Sequence, residues 1–408
     1  MLTQILTIVA TALAVAQCFA GSAVALSTSS SSQEGVDGFT TGAWEPLPTA
    51  NYTIASSCDA QEWNFTQAKA SALWLHFSSI DLASGARLLV SALNGSDSQT
   101  LESQASGVTT TPISGNGVTL QFVPPTDRCN ASASSMRLDG MGYENSEVTQ
   151  TTGEEREICG AKDTMKNVVC FASGSDADKA MVNRAKAVMR TQLTRDDNAI
   201  VTCTAWLWGN QGHIVTNNHC FSSQEMVDAA KFEFDVQTTG CDDSCTFATC
   251  PVGKTLAGKD NVKFIKSDSG LDYAVLQITA DAASFVSAYA YLQVRSSAPS
   301  QGEEIYIPQQ PKGGAKKIAK TDNDDDSEAA TVQDTDHTVT VSGVTYSHLI
   351  AYAADTDEGS SGSPVLSRVD NTVVGLHRIG DCDNAATPSD QLATALRAIV
   401  SDNNGYEG

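Results

Sequence analysis

The sequence predicts an all-β protein in two parts, a small N-terminal β-sandwich and a larger β domain closed by one C-terminal helix. Three observations carry this. Leu73, Leu75 and Phe77 alternate with Trp74 and His76, and Val118, Leu120 and Phe122 alternate with Thr119, Gln121 and Val123, the period of two of a strand. Beyond residue 157, short apolar runs such as Ala205-Trp206-Leu207-Trp208, Tyr273-Ala274-Val275-Leu276-Gln277-Ile278 and Thr372-Val373-Val374-Gly375-Leu376 are separated by turn residues. The last periodic stretch, Leu392, Leu396, Ile399 and Val400, is spaced for one face of a helix. At 408 residues, two domains are the natural expectation.

Along the chain, residues 1–25 read as a signal peptide: an apolar run from Ile5 to Ala16 is followed by small residues suited to cleavage after Ala25 or after Ala20. The rival reading is a short uncleaved anchor, against which the stretch is too interrupted and brief for a good spanning helix. Residues 26–43, rich in Ser, Gly and Thr, read as a flexible leader. The sandwich is expected over 44–130, flanked by Cys58 and Cys129, whose pairing would close it and confine its unfolded chain. Residues 131–157 are polar, end in Glu154-Glu155-Arg156-Glu157 and read as a linker and processing region; the second domain is expected over 158–408.

The net charge of −23 is spread over both parts. It argues against nucleic acid or an anionic membrane as partner and mildly favours basic substrates, solubility being the plainer reading. Of eleven cysteines, Cys18 lies in the signal peptide and the remaining ten can form five disulfides in an oxidising, extracellular compartment. Asn51, Asn64, Asn94 and Asn130 are Asn-x-Ser/Thr glycosylation acceptors. No cofactor and no metal are expected. The acidic run Asp322–Ser327 lacks a glycine at its sixth position and carries Gln333 where a calcium loop has Glu. A zinc site on Cys241, Cys245 and Cys250 would need thiolates that oxidise outside the cell and a nearby histidine that is missing.

Hydrolysis of a peptide at neutral pH needs a nucleophile, a base, a group that orients the base and donors for the oxyanion. His219 ends the run Gly212-His213-Ile214-Val215-Thr216-Asn217-Asn218-His219-Cys220, where a strand delivers an imidazole to a turn held by the next cysteine. Asp272 opens an apolar strand, where burial suits a carboxylate that holds a histidine tautomer. Ser361 lies in Gly359-Ser360-Ser361-Gly362-Ser363-Pro364, a glycine-permitted turn that can aim the N–H groups of Gly359 and Ser361 at an oxyanion.

These three segments resemble the signature segments of the trypsin-like serine proteases. The order His, Asp, Ser matches that family and excludes the Ser, acid, His order of α/β-hydrolases. The resemblance implies a double β-barrel with His219 and Asp272 in the first barrel, 53 residues apart, and Ser361 in the second, 89 residues further on. Ser361-Gly362-Ser363-Pro364 and Gly375-Leu376-His377 are similar to bacterial lysyl and glutamyl endopeptidases, and the cysteines resemble the lysyl framework. That framework implies Cys159 paired with Cys382 and Cys203 with Cys220 beneath the catalytic histidine; Cys170 would join one of Cys241, Cys245 and Cys250, with the other two paired together. The sandwich resembles, more weakly, the β-rich segments preceding such catalytic domains, or CUB-like modules; a propeptide, a targeting module and a stabilising domain all remain open. Trypsin's zymogen switch is not carried over, because Ser360 stands where that family has an Asp before the nucleophile.

Two carboxylates are candidates for a pocket selecting Lys or Arg: Asp355, six residues before Ser361, and Asp390, downstream of His377. Ser389 and Asp390 equally read as the N-cap and first turn of the terminal helix. His377 points instead to a glutamyl preference, and Arg378 beside it disfavours a cationic substrate. The expected function is a secreted, monomeric serine endopeptidase acting on protein or peptide substrates, with a preference for Lys or Arg. The alternatives are a glutamyl endopeptidase, a non-catalytic homologue that binds or inhibits a partner protein, and a protein whose N-terminal domain is its functional part.

Overall fold

The computed structural model describes residues 39–48, 52–101, 105–126, 134–145, 163–323, 325–341, 343–380 and 384–407, all within one compact unit, Val36–Gly408. The expected signal peptide, Asn51, Cys129, Asn130, Cys159 and Cys382 lie outside the described residues.

Two sheets face each other in the N-terminal part. One runs in the order Gln61–Thr66, Gly117–Val123, Arg87–Ala92, Ser98–Leu101. In the other, Ala70–Asp81 pairs with Ser135–Asn145 on one edge and with Ala105–Thr109 on the other. Leu73, Leu75 and Phe77 meet Leu88, Val90, Val118, Leu120 and Phe122 across the interior, all fully buried. Each such side chain contributes roughly 1.5–3 kcal/mol of transfer free energy.

The strand Phe39–Pro46 joins this sandwich to the C-terminal strands, pairing with Ser135–Asn145 along one edge and with Ala199–Trp208 along the other. One twelve-stranded sheet therefore runs from the sandwich into the second part. Ala70–Asp81 is covered on both faces, since Ala72 and Trp74, opposite the sandwich core, pack on Ile200, Phe247 and Ala248. These strands overturn two boundaries read from the sequence: residues 39–43 are strand where a flexible leader was expected, and 135–145 are strand where a linker was expected. The reason lies in Gly140 and Gly142. A Cβ on the first would overlap the Trp44 indole, and on the second the Trp74 indole. Glycines that read as turn punctuation make room here for two aromatic rings on a strand.

The second part holds the remaining strands of the twelve-stranded sheet, between Val188–Thr194 and Tyr273–Ile278, and a separate eight-stranded sheet. The latter is ordered Lys166–Asn167, Lys317–Ala319, Ile305–Gln309, Pro364–Ser367, Val373–Ile379, Asn384–Pro388, Val344–Tyr352, Val332–Val341. The C-terminal helix, Ser389–Arg397, buries Leu392 and Leu396 as their spacing predicts, together with Ala393, whereas Ile399 and Val400, expected on the same face, lie past its end and are half-buried. Its N-cap is Pro388, and the Ser389 hydroxyl donates to Ser297 O instead of capping. No helix among the described residues is long and apolar enough to cross a membrane.

Lys316, beside the second sheet, is fully buried and donates from Nζ to Ala185 O at 2.9 Å. Burial brings its ammonium down to about 8, with Asp235 acting in the opposite direction. An unfolded lysine titrates near 10.4, so between about pH 8 and about pH 10.4 the unfolded chain binds more protons and stability rises with pH. Lys316→Met is expected to flatten that rise, as measured by urea unfolding across the window. Gly140→Ala is expected to cost about 1–3 kcal/mol through the overlap with Trp44 and to lower Tm accordingly in a thermal melt.

Candidate active site

The strand His213–Thr216 pairs with Tyr273–Ile278, which brings the turn after the first against the turn before the second. Asn217 Nδ2 donates to Asp272 O at 2.8 Å and ties the two turns together. Asp272 sits at φ +52°, a left-handed conformation that a short polar side chain tolerates, and this turns its carboxylate inward. There the carboxylate binds His219 twice: Oδ1 accepts the backbone N–H at 3.1 Å and Oδ2 lies 2.8 Å from ring Nδ1. Both side chains are more than nine-tenths buried. The proton on Nδ1 faces the carboxylate, which leaves Nε2, buried and without a hydrogen-bond partner, as the free lone pair. The Cys203–Cys220 disulfide pins the residue after His219 to the strand Ala199–Trp208.

Ser361 comes from the other sheet, on the turn before Pro364–Ser367. Its carbonyl accepts from Thr204 N at 2.9 Å, one residue from Cys203, and the Thr204 hydroxyl donates to Gly359 O at 2.9 Å. Thr204, which sequence reasoning did not single out, thus clamps both ends of the Gly359–Ser361 turn. The glycines on either side are required. Gly359 has φ +85° and a Cβ there would come within 3.2 Å of Lys312 N and Gly313 N; Gly362 has φ +88° and a Cβ would collide with Thr204 O and Thr216 Oγ1. Gly362 thereby lies against Asn217, two residues before His219, and the serine turn packs on the histidine turn. Glu358 O accepts from Lys312 N, so across the planar peptide the Gly359 N–H points the opposite way, away from Lys312.

Of the three residues named for substrate selection, Asp355 and His377 are engaged by other groups. Asp355 is buried and its Oδ2 accepts from both N–H and hydroxyl of Thr164 at 2.7 Å. His377 is buried with Nδ1 2.6 Å from the Tyr352 hydroxyl. Asp390 lies in the first turn of the terminal helix; its backbone carbonyl accepts from Thr394 Oγ1, while its carboxylate Oδ1 is buried without a hydrogen-bond partner. A residue treated only as a neighbour of His377 has a closer place: Arg378 Nε lies 3.5 Å from Asp272 Oδ2. The available signal was strand alternation, which puts Arg378 on the face opposite His377 and inside the fold, where a charge must find a partner.

Further disulfides join Cys170 to Cys241 and Cys245 to Cys250, which takes the thiolates a zinc ion would need. Cys203, Cys220 and His219 cluster within 4.8 Å, but the two sulfurs are bonded to each other. Cys58 is disulfide-bonded. Asn64 and Asn94 are exposed in the sandwich, Asn94 in a turn where its Oδ1 accepts from Ser96.

Residues 203–376 match the family model described as a trypsin-like peptidase domain. The chain is 35% identical over 252 residues to Secreted RxLR effector protein 73 of Plasmopara viticola, an alignment covering 62% of this chain and 58% of that protein. Two solved structures align more loosely. Deg5 matches at 18% identity and a TM-score of 0.39 over 57% of this chain and 99% of that one. The MamO protease domain from Magnetospirillum magneticum matches at 16% identity and 0.37, over 52% and 97%. The matched residues, 203–376, fall within the mostly β second part of the chain and span the turns that carry His219, Asp272 and Ser361.

The paired ring geometry has a direct signature. The Nδ1 proton of His219 is expected to give an exchange-protected, downfield resonance by NMR, lost in Asp272→Ala; its presence unchanged in that variant would contradict the pairing.

Proposed function

We propose that the chain is a secreted serine endopeptidase that hydrolyses peptide bonds through an acyl-enzyme on Ser361. The observation that carries this reading is the double hold of Asp272 on His219, backbone and ring at once, with Nε2 left free. In this reaction His219 Nε2 takes the Ser361 Oγ proton as the oxygen attacks the substrate carbonyl. Asp272 stabilises the resulting imidazolium without itself taking the proton. The N–H groups of Gly359 and Ser361 bind the oxyanion, the imidazolium protonates the leaving amine, and a water activated by the same ring releases the acyl group. Protein and peptide substrates suit this reaction, which needs no cofactor.

Export rests on the secreted relative, on disulfides within the fold and on the leader sequence. For specificity we retain a preference for Lys or Arg before the scissile bond, supported by acidic groups at 355 and 390 and by the net charge of −23. Because Thr164 holds Asp355 from two donors, a substrate cation would have to share that carboxylate rather than capture it alone. A glutamyl preference through His377 would require breaking the Tyr352 contact. The relationship to a secreted effector favours one rival, a homologue that binds a partner protein without cleaving it.

Matched peptides bearing Lys, Arg, Glu or Leu before the scissile bond decide between them. The wild-type chain is expected to cleave, and Ser361→Ala to lower kcat/KM by at least about 10⁴-fold with folding intact. Equal cleavage by the variant would remove Ser361 from the reaction, and no cleavage by the disulfide-intact wild type would shift the reading to the binding homologue.

A further inference from the structure

Arg378 stands at the end of Val373–Ile379, a strand buried along its whole length, and crosses from the second sheet to the turn that carries Asp272. Three contacts fix its guanidinium. Nη1 donates to Gly270 O at 2.9 Å, Nε lies 3.5 Å from Asp272 Oδ2, and the plane sits 4.7 Å from the centroid of the Tyr346 ring. Only a planar fork satisfies a carbonyl, a carboxylate and an aromatic face together. The side chain is 5% exposed, so bulk water does little to screen its charge.

We infer that Arg378 is a positioning residue of the His219–Asp272 pair, a fixed cation that holds the Asp272 carboxylate for the His219 ring and opposes a second positive charge around the same oxygen. The argument follows from one shared atom. Asp272 Oδ2 faces both His219 Nδ1 and Arg378 Nε. Protonating the ring on Nε2 creates a second cation around that oxygen, and the guanidinium does not give up its own charge in water's working range. The charged groups that face Arg378 are Asp272 and Asp268, with the Tyr346 hydroxyl; burial opposes its charge while these groups support it. The imidazolium is therefore the cation that is disfavoured. At the same time the contact to Oδ2 restrains the carboxylate that aims the ring. The inference takes His219 as the base of the proposed reaction, but its electrostatic content holds whether or not the chain turns over a substrate.

The test is a histidine titration of the full-length chain by NMR with ¹³C-labelled histidine, the His219 signal being assigned by its loss in His219→Gln. Arg378→Gln, which retains an amide donor for Gly270 O but no charge, is expected to move the His219 midpoint up by roughly 1 pH unit. Arg378→Lys is expected to keep most of the wild-type midpoint. Tyr346→Leu, which removes the ring under the guanidinium and not the charge, is expected to move it up by a smaller amount. If peptides are cleaved, the acid limb of kcat/KM should move with the midpoint while KM stays nearly constant. A midpoint that stays in place in folded Arg378→Gln, or in Tyr346→Leu should the first variant not fold, overturns the inference, as does a shift in Arg378→Lys equal to that in Arg378→Gln. Loss of the enzymatic reading alone looks different: the midpoint moves and no peptide is cleaved.

Discussion

The site depends on a single carboxylate that grips one residue in two places. A hydrogen bond from Asp272 to the His219 ring alone would orient an imidazole on a mobile turn; the second bond, to the His219 backbone N–H, fixes the turn itself. That dual hold requires Asp272 in a left-handed conformation and requires the strands before and after it to stay in register, which the pairing of His213–Thr216 with Tyr273–Ile278 and the Asn217 bond provide. Each of these lies upstream of any chemistry. Remove the register and the ring has no fixed direction, whatever residues stand at 219 and 272.

The N-terminal sandwich is built into the same framework rather than appended to it. Phe39–Pro46 covers the edge of Ala199–Trp208, the strand that holds Cys203 and Thr204, and thus sits one strand away from the clamp on the serine turn. An uncovered edge there would expose paired donors and acceptors together with Ile200, Trp74 and Phe247. Cutting the chain between 146 and 162 would break none of these strand pairs. A sandwich left in place after such a cut would keep both its edge and its apolar contacts, which favours a stabilising role over that of a segment shed on maturation.

The parts of this arrangement that were legible in the sequence are those with strong local patterns. Alternation in 73–77 and 118–123 located sandwich strands, and the spacing of Leu392 and Leu396 located the terminal helix, because in each case one face is buried. The motifs around 219, 272 and 361 marked three turns that the fold brings to one seam, since their glycines and polar residues answer local backbone demands. What could not be read were properties of partners distant in sequence. Ser135–Asn145 looked like linker because its glycines serve Trp44 and Trp74, and residues 39–43 looked like leader because a strand lying between two others needs little hydrophobic pattern of its own. The tie between Asp355 and Thr164 spans 191 residues and leaves no local trace.

A split site also needs its halves held together, and the chain does this with buried cations. Arg190, in the first sheet, ion-pairs with Glu233 and donates to Phe247 O and to Gly313 O, beside the second. Lys316 reaches from the second part of the seam to Ala185 O. Arg378 reaches from Val373–Ile379 to Gly270 O and Asp272. Each is at most 5% exposed and each takes at least one backbone carbonyl as acceptor. Apolar packing across the seam would resist separation but would tolerate sliding; a buried charge with a directed carbonyl partner does not, because displacement leaves it unsolvated at a cost of several kcal/mol. In a protein with 25 basic and 48 acidic residues, placing cations here also sets them in a field of surrounding negative charge that lowers the cost of burying them. Arg190 and Arg378 therefore tie the two sheets together, and Arg378 closes on the carboxylate that holds the His219 ring.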